Sequence, residues 1–371
     1  MKIVIAASHR FHLLDLAREL AELGHDVKFY SYVPTKRVIK YGLKRENSKS
    51  LFLLMLPFLG LIKLSKNKDW SIKLKDLVLD NYLYYFMPKC DVYIALGTVY
   101  LKSIKKAKKK GAITILEWGS KHIIEQQNAI AINPNFRRQK PYFINRSLKG
   151  YEICDYISIP STHVKDSFVK HGIELKKLLI NPYGVDTSMF RPTILDENEN
   201  YDIIMVGNWS ITKGCDLIIN TLQNTSYTFL HVGAIKDLDF PKEENFTHID
   251  PVDQIELVKY YSKAKVFLLP SRAEGLAMVQ AQAIACGLPV VCSKNTGGID
   301  LNNFLTDKKW IIELENTEAN TILTAIQKAL KLFELQEGSL RNYVKDDLFR
   351  LSWSEYGKRY ETNLNRKCLI R

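Results

Sequence analysis

The chain predicts an α/β protein of two doubly wound, Rossmann-like domains facing each other across a cleft, and three observations carry that prediction. At 371 residues it exceeds one ordinary hydrophobic core, so two units of roughly 150 to 200 residues each are expected. Short, nearly all-apolar runs such as KIVIAA and VFLL alternate with segments of helical periodicity in both halves, as in parallel strands covered on both faces. Gly24, Gly172, Gly233 and Gly287 stand where elements should stop.

In order, residues 2–7 read as a central strand, and the spacing of Leu13, Leu14, Ala17, Leu20 and Ala21 predicts a helix closed by Gly24. DVKFYS then completes a βαβ opening, which sets the first strand-to-helix loop at the sheet's carboxyl edge, where ligands bind. That loop, Ser8-His9-Arg10, lacks the GxGxxG spacing of dinucleotide sites, yet His9 and Arg10, with His12 close by, are candidate cleft residues. Strands follow at residues 90–96 and 112–118. The second delivers EWGSKH, so Glu117, Gly119, Ser120 and His122 are candidate sugar or acceptor ligands, helix capping being the plainer reading. A basic loop at residues 133–142, a strand at 156–159 and a short helix capped by Ser161 or Thr162 come next.

Composition shifts to turns and charge over residues 183–200, which marks the domain boundary: residues 1–185 form the N-terminal domain and residues 186–352 the C-terminal one. The second series runs through strands at 201–207, YTFLHVG and FTHID, with helices from Cys215 or Asp216, at 255–264 and at 321–335. Residues 266–298 predict strand, turn, a helix starting at Glu274 or Gly275, a glycine stop and a second strand. A helix start offers unpaired amides and a positive dipole end, which suit a phosphate.

Hydrophobic residues at 46% and charged residues at 25% give a globular chain with no disorder signature. The net charge is +13, and six lysines crowd LKSIKKAKKKG (residues 101–111). They fit the solvated face of a helix or attraction to an anionic membrane; no motif supports nucleic acid. The apolar run at residues 51–64 contains Pro57, Gly60 and Lys63 and falls short of the about 20 residues of a span, leaving a buried helix or a lipid-facing surface. The amino-terminal run is too short and wrongly flanked for a signal peptide, and the six cysteines (Cys90, Cys154, Cys215, Cys286, Cys292, Cys368) have neither CxxC nor metal spacing, as expected in a reducing cytoplasm.

At GVDTSMFRP, VGNWSITKGCDLII and PSRAEGLAMVQAQAIACGLPVV the sequence resembles the retaining glycosyltransferases of family 4, the glycosyl transferases group 1, which have the GT-B fold. The resemblance is strongest over residues 156–298. It implies a metal-independent enzyme, without cofactor, that moves a sugar from a nucleotide-diphosphate donor to a hydroxyl of a glycan. Lys213 resembles the family's phosphate-binding lysine, and Gly275, Leu276 and Ala277 its phosphate-binding helix start. Glu274 matches the first acid of the E-x7-E motif, whose second acid falls at Gln282. Asn208 stands where the family often has arginine, leaving Arg272 as the nearest replacement cation. Glu117 resembles the first-domain histidine or acid, residues 296–298 the donor-side loop, and residues 353–371, anchored by Trp353 and Tyr356, the tail that returns to the first domain.

The basic segment and the apolar run together give a lipid-linked acceptor at the inner membrane face as the expectation. Gln282 and Asn208 motivate the alternatives, a non-catalytic binder of nucleotide sugar or glycan, or another two-domain enzyme such as an epimerase; a phosphorylase needs a longer chain. Asp237-Leu238-Asp239 is formally a DxD pair but lies in a polar loop that implies no metal.

Overall fold

The computed structural model describes residues 1–64, 68–97, 101–134, 138–192, 200–335 and 342–368. Parts of three expectations lie outside the described residues: 135–137 of the basic loop, 193–199 of the boundary segment and 369–371 of the tail. The first domain runs β1 (Lys2–Ala6), α1 (His12–Glu22), β2 (Asp26–Ser31), α2 (Thr35–Lys40), β3 (Ser48–Ser50), α3 (Phe52–Leu64), α4 (Lys68–Phe86), β4 (Val92–Leu96), α5 (Leu101–Lys109), β5 (Ile113–Glu117), α6 (Ile123–Ile130), α7 (Pro141–Ile153), β6 (Tyr156–Ile159), α8 (Thr162–Lys170) and β7 (Leu178–Ile180). Among the described residues its strands form one seven-stranded parallel sheet in the order β3-β2-β1-β4-β5-β6-β7.

The second domain runs β8 (Tyr201–Val206), α9 (Cys215–Leu222), β9 (Phe229–Val232), β10 (Phe246–Ile249), α10 (Gln254–Ser262), β11 (Ala264–Leu269), α11 (Met278–Ala285), β12 (Val290–Ser293), β13 (Ile311–Leu314), α12 (Ala319–Glu334) and α13 (Leu348–Leu351). Its described strands form a six-stranded parallel sheet, β10-β9-β8-β11-β12-β13. In both sheets the strand order reverses beside the first strand, at β1/β4 and at β8/β11. The connections leave that point in opposite directions, so a crevice opens outside the strand ends there.

The apolar runs are buried as a two-sided parallel sheet requires: Ile5, Ala6, Val92, Ile94, Ile203, Ile204, Phe267 and Leu268 are all sealed from solvent. Helix α14 (Trp353–Cys368) closes the chain by packing on α1 of the first domain. Its own Tyr356 and Tyr360 are buried, and its Glu361 meets His25 Nε2 at 2.8 Å. Two chain crossings between the domains run side by side: the Val185 amide donates to the Leu351 carbonyl at 2.8 Å, and a Cβ on Gly184 would lie 2.7 Å from the Trp353 backbone. Arg359 spans this point, donating to the Pro182 carbonyl at 3.0 Å and lying 4.4 Å over the Phe304 ring.

Cys90, Cys154, Cys215, Cys286 and Cys292 are buried free thiols. The segment at residues 51–64 is a helix that exposes Leu53, Leu54 and Leu56. No helix among the described residues is long and apolar enough to cross a membrane.

Candidate functional site

The switch point of the second sheet brings two loops together. One leaves β8 at Gly207 and carries Asn208 to Gly214; the other leaves β11 at Pro270 and carries Ser271 to Ala277. Gly214 is what allows the two to touch. Its φ of +77° is accessible to glycine, and a Cβ there would sit 2.3 Å from the Pro270 carbonyl oxygen. Further bonds stitch the loops: the Arg272 amide donates to the Thr212 carbonyl at 2.9 Å, and the buried Ser271 hydroxyl donates to the same carbonyl at 3.0 Å.

Across this seam the Lys213 ammonium pairs with the Glu274 carboxylate, which lies 3.1 Å from the Ser271 hydroxyl. Both side chains are about one-fifth exposed, at 21% and 16%, so the pair is screened from bulk water yet open to the cleft. The two residues expected to do the chemistry are in direct contact.

Arg272 corrects its expectation. Its guanidinium grips Asp216 with two hydrogen bonds, of 2.6 and 2.7 Å, and also donates to the Ile211 carbonyl at 2.5 Å. The pair braces the Lys213 loop and already balances the guanidinium's charge, which weakens Arg272 as the replacement cation. Asn208 stays exposed at the start of that loop, and the Gln282 amide oxygen, on a nearly buried side chain, accepts from the Tyr261 hydroxyl at 3.2 Å.

The helix begins later than the sequence predicts. Helix α11 starts at Met278, and Gly275, Leu276 and Ala277 are a non-helical lead-in with a bend at Gly275 and extended backbone at Ala277. The reason is tertiary: the Glu274 amide is taken by the Asn295 carbonyl at 2.9 Å and the Ala277 amide by the Thr296 carbonyl at 3.3 Å. The first turn of α11 still points its amides along the lead-in toward the seam. The donor-side loop at residues 296–298 is tied to α11 by the fully buried Gln280, whose side-chain amide donates to the Thr296 carbonyl at 3.1 Å.

From the first domain, Gly119 and Ser120 come directly against Gly275. A Cβ on Gly275 would lie 1.9 Å from the Gly119 carbonyl oxygen and 3.1 Å from the Ser120 Cα, so the domains meet backbone to backbone. Glu117 and His122 do not join them, a correction in both cases. Glu117 is buried at 2% exposure, accepting from His12 Nε2 at 2.8 Å and from the Tyr360 hydroxyl at 2.7 Å. Both carboxylate oxygens are thereby spent on joining β5, α1 and the tail. His122 is buried against Tyr151 and Phe168, stacked on His171 at 4.2 Å, and burial pushes its pKa down to about 4. It lines a separate hollow of about 890 Å³ with Tyr151, His171 and Lys176.

His9 is exposed beside the Ser8 hydroxyl, at 3.1 Å, while the Arg10 guanidinium is laid over the Tyr41 ring at 3.4 Å and turned from its expected role. Asp237 accepts from the Ile211 amide at 2.9 Å and from the Asn133 side chain at 2.5 Å, so it serves as a brace between loop and first domain.

Read from sequence, Ser161 and Thr162 are only helix caps, and His163, Asp300 and Lys121 go unmarked. These make further contacts between the domains. The Ser161 hydroxyl donates to the Gly275 carbonyl at 2.7 Å, His163 Nε2 meets the Glu274 carbonyl at 2.9 Å, and Thr162 bonds Asp300 through its amide at 2.9 Å and its hydroxyl at 2.5 Å. Lys121 Nζ donates to Asn295 Oδ1 at 2.7 Å. The available signal was three consecutive polar residues, Ser-Thr-His, at the carboxyl end of a strand.

Comparison with known proteins bears on the fold and on the second domain. Residues 200–331 match the family model described as glycosyl transferases group 1. The chain is 24% identical over 234 residues to a phosphatidylinositol N-acetylglucosaminyltransferase subunit of Arabidopsis thaliana, covering 58% of this chain and 51% of that protein. It is 26% identical over 160 residues to D-inositol 3-phosphate glycosyltransferase of Paenarthrobacter aurescens, covering 36% and 39%. The chain thus spans about half the length of the curated relatives it matches.

Among solved structures, sucrose-phosphate synthase from Thermosynechococcus elongatus is similar with a TM-score of 0.72 at 14% identity, covering 100% of this chain and 99% of that one. Anabaena Alr3699/HepE in complex with UDP and glucose gives 0.66 at 12%, covering 98% and 99%. At such identities the likeness is one of fold. Residues 200–331 are thus similar to the glycosyl transferases group 1, within a chain that has the two-domain GT-B fold.

Proposed function

We propose that the protein is a glycosyltransferase that moves a sugar from a nucleotide-diphosphate donor to a hydroxyl of a glycan, with retention at the anomeric carbon. The observation that carries this reading is the contact between Lys213 and Glu274 at the β8/β11 switch point of a glycosyl transferases group 1 domain. A diphosphate leaving group gathers negative charge as its bond to the sugar breaks, and a fixed cation with oriented amides stabilises it most effectively in a partly desolvated site. Lys213 supplies the cation, and Gly275, Leu276 and the first turn of α11 supply the amides, the Ala277 amide being taken by the Thr296 carbonyl.

Donor binding must part the Lys213–Glu274 pair. The diphosphate takes the ammonium, and the freed carboxylate accepts hydrogen bonds from sugar hydroxyls. The acceptor oxygen then bonds to the anomeric carbon as the bond to the diphosphate breaks, and the acceptor's proton leaves to a diphosphate oxygen. Gly119, Ser120 and His9 border the cleft on the acceptor side.

The acceptor is proposed to be lipid-linked and the enzyme to work at the cytoplasmic membrane face. Leu53 on α3, at 75% exposure, and Tyr85 and Phe86 on α4, at 68% each, present apolar side chains to solvent. Tyr84, Tyr85, Lys102, Lys105, Lys106 and Lys109 line a groove of about 730 Å³. Lys106 also donates to the Tyr84 and Tyr85 carbonyls at the end of α4, which ties the basic helix to the end of α4.

Thermal stabilisation by UDP, GDP and ADP tests the donor half. One nucleotide is expected to raise the melting temperature of the parent and to lose most of that effect in Lys213→Ala. Stabilisation by none of them would remove the reading.

A further inference from the structure

We infer that Ser161, Thr162 and His163 are positioning residues that clamp the Glu274–Gly275 peptide when the domains close, and so set the donor-binding acid from the acceptor domain. The inference rests on the transferase reading for the role of Glu274, and on the geometry alone for the clamp.

The three residues begin α8, which is a helix start with an unusual use of its side chains. Ser161 is the N-cap of α8, and its hydroxyl caps no backbone amide of its own helix. It reaches instead to the Gly275 carbonyl at 2.7 Å. An N-cap serine that leaves its helix amides unserved gives up local helix stability, which a contact elsewhere must offset. His163 Nε2 takes the adjoining carbonyl, that of Glu274, at 2.9 Å. Two successive carbonyls of the acid's own peptide chain are therefore held by side chains from the other domain.

Hydrogen accounting fixes the histidine's form. A carbonyl only accepts, so Nε2 must carry a proton. Burial lowers the His163 pKa, with Lys121 acting the same way and the Glu274 carbonyl, Asp300 and Asp166 opposing. The neutral Nε2–H tautomer meets the requirement at pH 7 and turns the Nδ1 lone pair toward Ser161 Oγ at 3.0 Å. The serine's single hydrogen then lies between Nδ1 and the Gly275 carbonyl, which keeps ring and hydroxyl in register.

The next residue supplies a second arm. Thr162 gives both its amide and its hydroxyl to Asp300, which is 6% exposed and sits just after the donor-side loop. Gly297 lies between the arms: with φ of +71° and a would-be Cβ 2.8 Å from the Gly275 carbonyl and 2.9 Å from Ser161 Cβ, it leaves no room for a side chain. The arms hold the segment before α11 and the loop after β12, the two pieces of backbone that flank the sugar end of the donor. Closing the domains therefore seats Glu274 and the donor-side loop together.

The experiment compares the parent with His163→Leu, His163→Gln and Thr162→Val in the full chain, by small-angle X-ray scattering without and with UDP, UDP affinity, melting temperature and donor turnover. Misplacement of a site group by about 1 Å can cost up to about 100-fold in rate. His163→Leu is accordingly expected to lower kcat by about 10- to 100-fold, to leave UDP affinity within about twofold, and to enlarge the scattering radius. His163→Gln keeps a donor for the Glu274 carbonyl and is expected to recover part of both. Unchanged scattering and kcat in His163→Leu and Thr162→Val would overturn the inference. So would a parallel loss of kcat, UDP affinity and melting temperature that Gln does not relieve, because that is the mark of a merely structural residue. A parent that neither binds UDP nor turns over any donor would sink the transferase reading, while the scattering comparison would still decide the clamp.

Discussion

Gly275→Ala is the sharpest probe of how the two domains work together. The glycine's φ is not in the left-handed region, so alanine fits the local backbone and the added methyl acts only as a wedge. That methyl would stand 1.9 Å from the Gly119 carbonyl oxygen and 2.6 Å from its carbon, both main-chain atoms of the opposite domain. No side chain can swing aside, and the domains must separate by at least about 1 Å to reach an ordinary contact. Overpacking of this kind costs about 1–3 kcal/mol. Charged against closure alone, this lowers the closed population by roughly 5- to 150-fold. Turnover with the preferred nucleotide sugar should fall by a similar factor, with nucleotide affinity and melting temperature little changed, because Lys213 and both cores are untouched. Full turnover in Gly275→Ala would refute the claim that this backbone contact belongs to the working state.

Three further outcomes are expected. Tyr360→Phe removes a donor from the buried Glu117 carboxylate, so the urea midpoint should correspond to a loss of about 1–3 kcal/mol; no change would mean the tail is not fastened there. His122 and His231 are both buried with pKa pushed down to about 4, so the folded chain resists protons that the unfolded chain accepts. Stability from these two is full above the ordinary histidine pKa of about 6.5 and lost as pH falls toward 4, on the order of 2 kcal/mol each; a melting temperature flat from pH 7 to 4.5 would contradict this. Binding to anionic vesicles should weaken with salt and be lost in Leu53→Glu combined with Lys105→Glu and Lys109→Glu, whereas equal sedimentation of parent and variant would remove the membrane surface.

Much of the fold was legible in the sequence because its strands are buried on both faces and therefore read as unbroken apolar runs. Helix α4 was not, since IKLKDLVLDNYLYYF scatters lysine, aspartate and aromatics around the axis without one clean stripe. Helix α7 was hidden in the basic loop, although Pro141 at its first turn was a usable mark. In the site, Lys213 and Glu274 could be found because the KG pair and the E-x7-E spacing resemble a known family's, and Glu274 also falls between a strand and a helix. The misjudged residues are those whose partners are remote: Glu117 is claimed by Tyr360 and by His12, and Arg272 by Asp216. Local pattern gives a carboxylate or a guanidinium; only the fold decides whether it faces a ligand or a neighbour. The clamp was missed for the same reason, as a Ser-Thr pair before a helix is normally a cap and here bonds across the domain gap.

The central claim, transfer from a nucleotide-diphosphate sugar at the Lys213–Glu274 seam, is tested most directly by proton NMR of UDP-, GDP- and ADP-sugars incubated with the parent, Lys213→Ala and Glu274→Gln. The account predicts that the parent releases the nucleoside diphosphate from one donor class, giving a sugar product of the donor's own anomeric configuration. Lys213→Ala should be at least about 100-fold slower, consistent with loss of one transition-state charge contact, and Glu274→Gln slow while still binding nucleotide. Donor turnover of equal rate in all three proteins would contradict it.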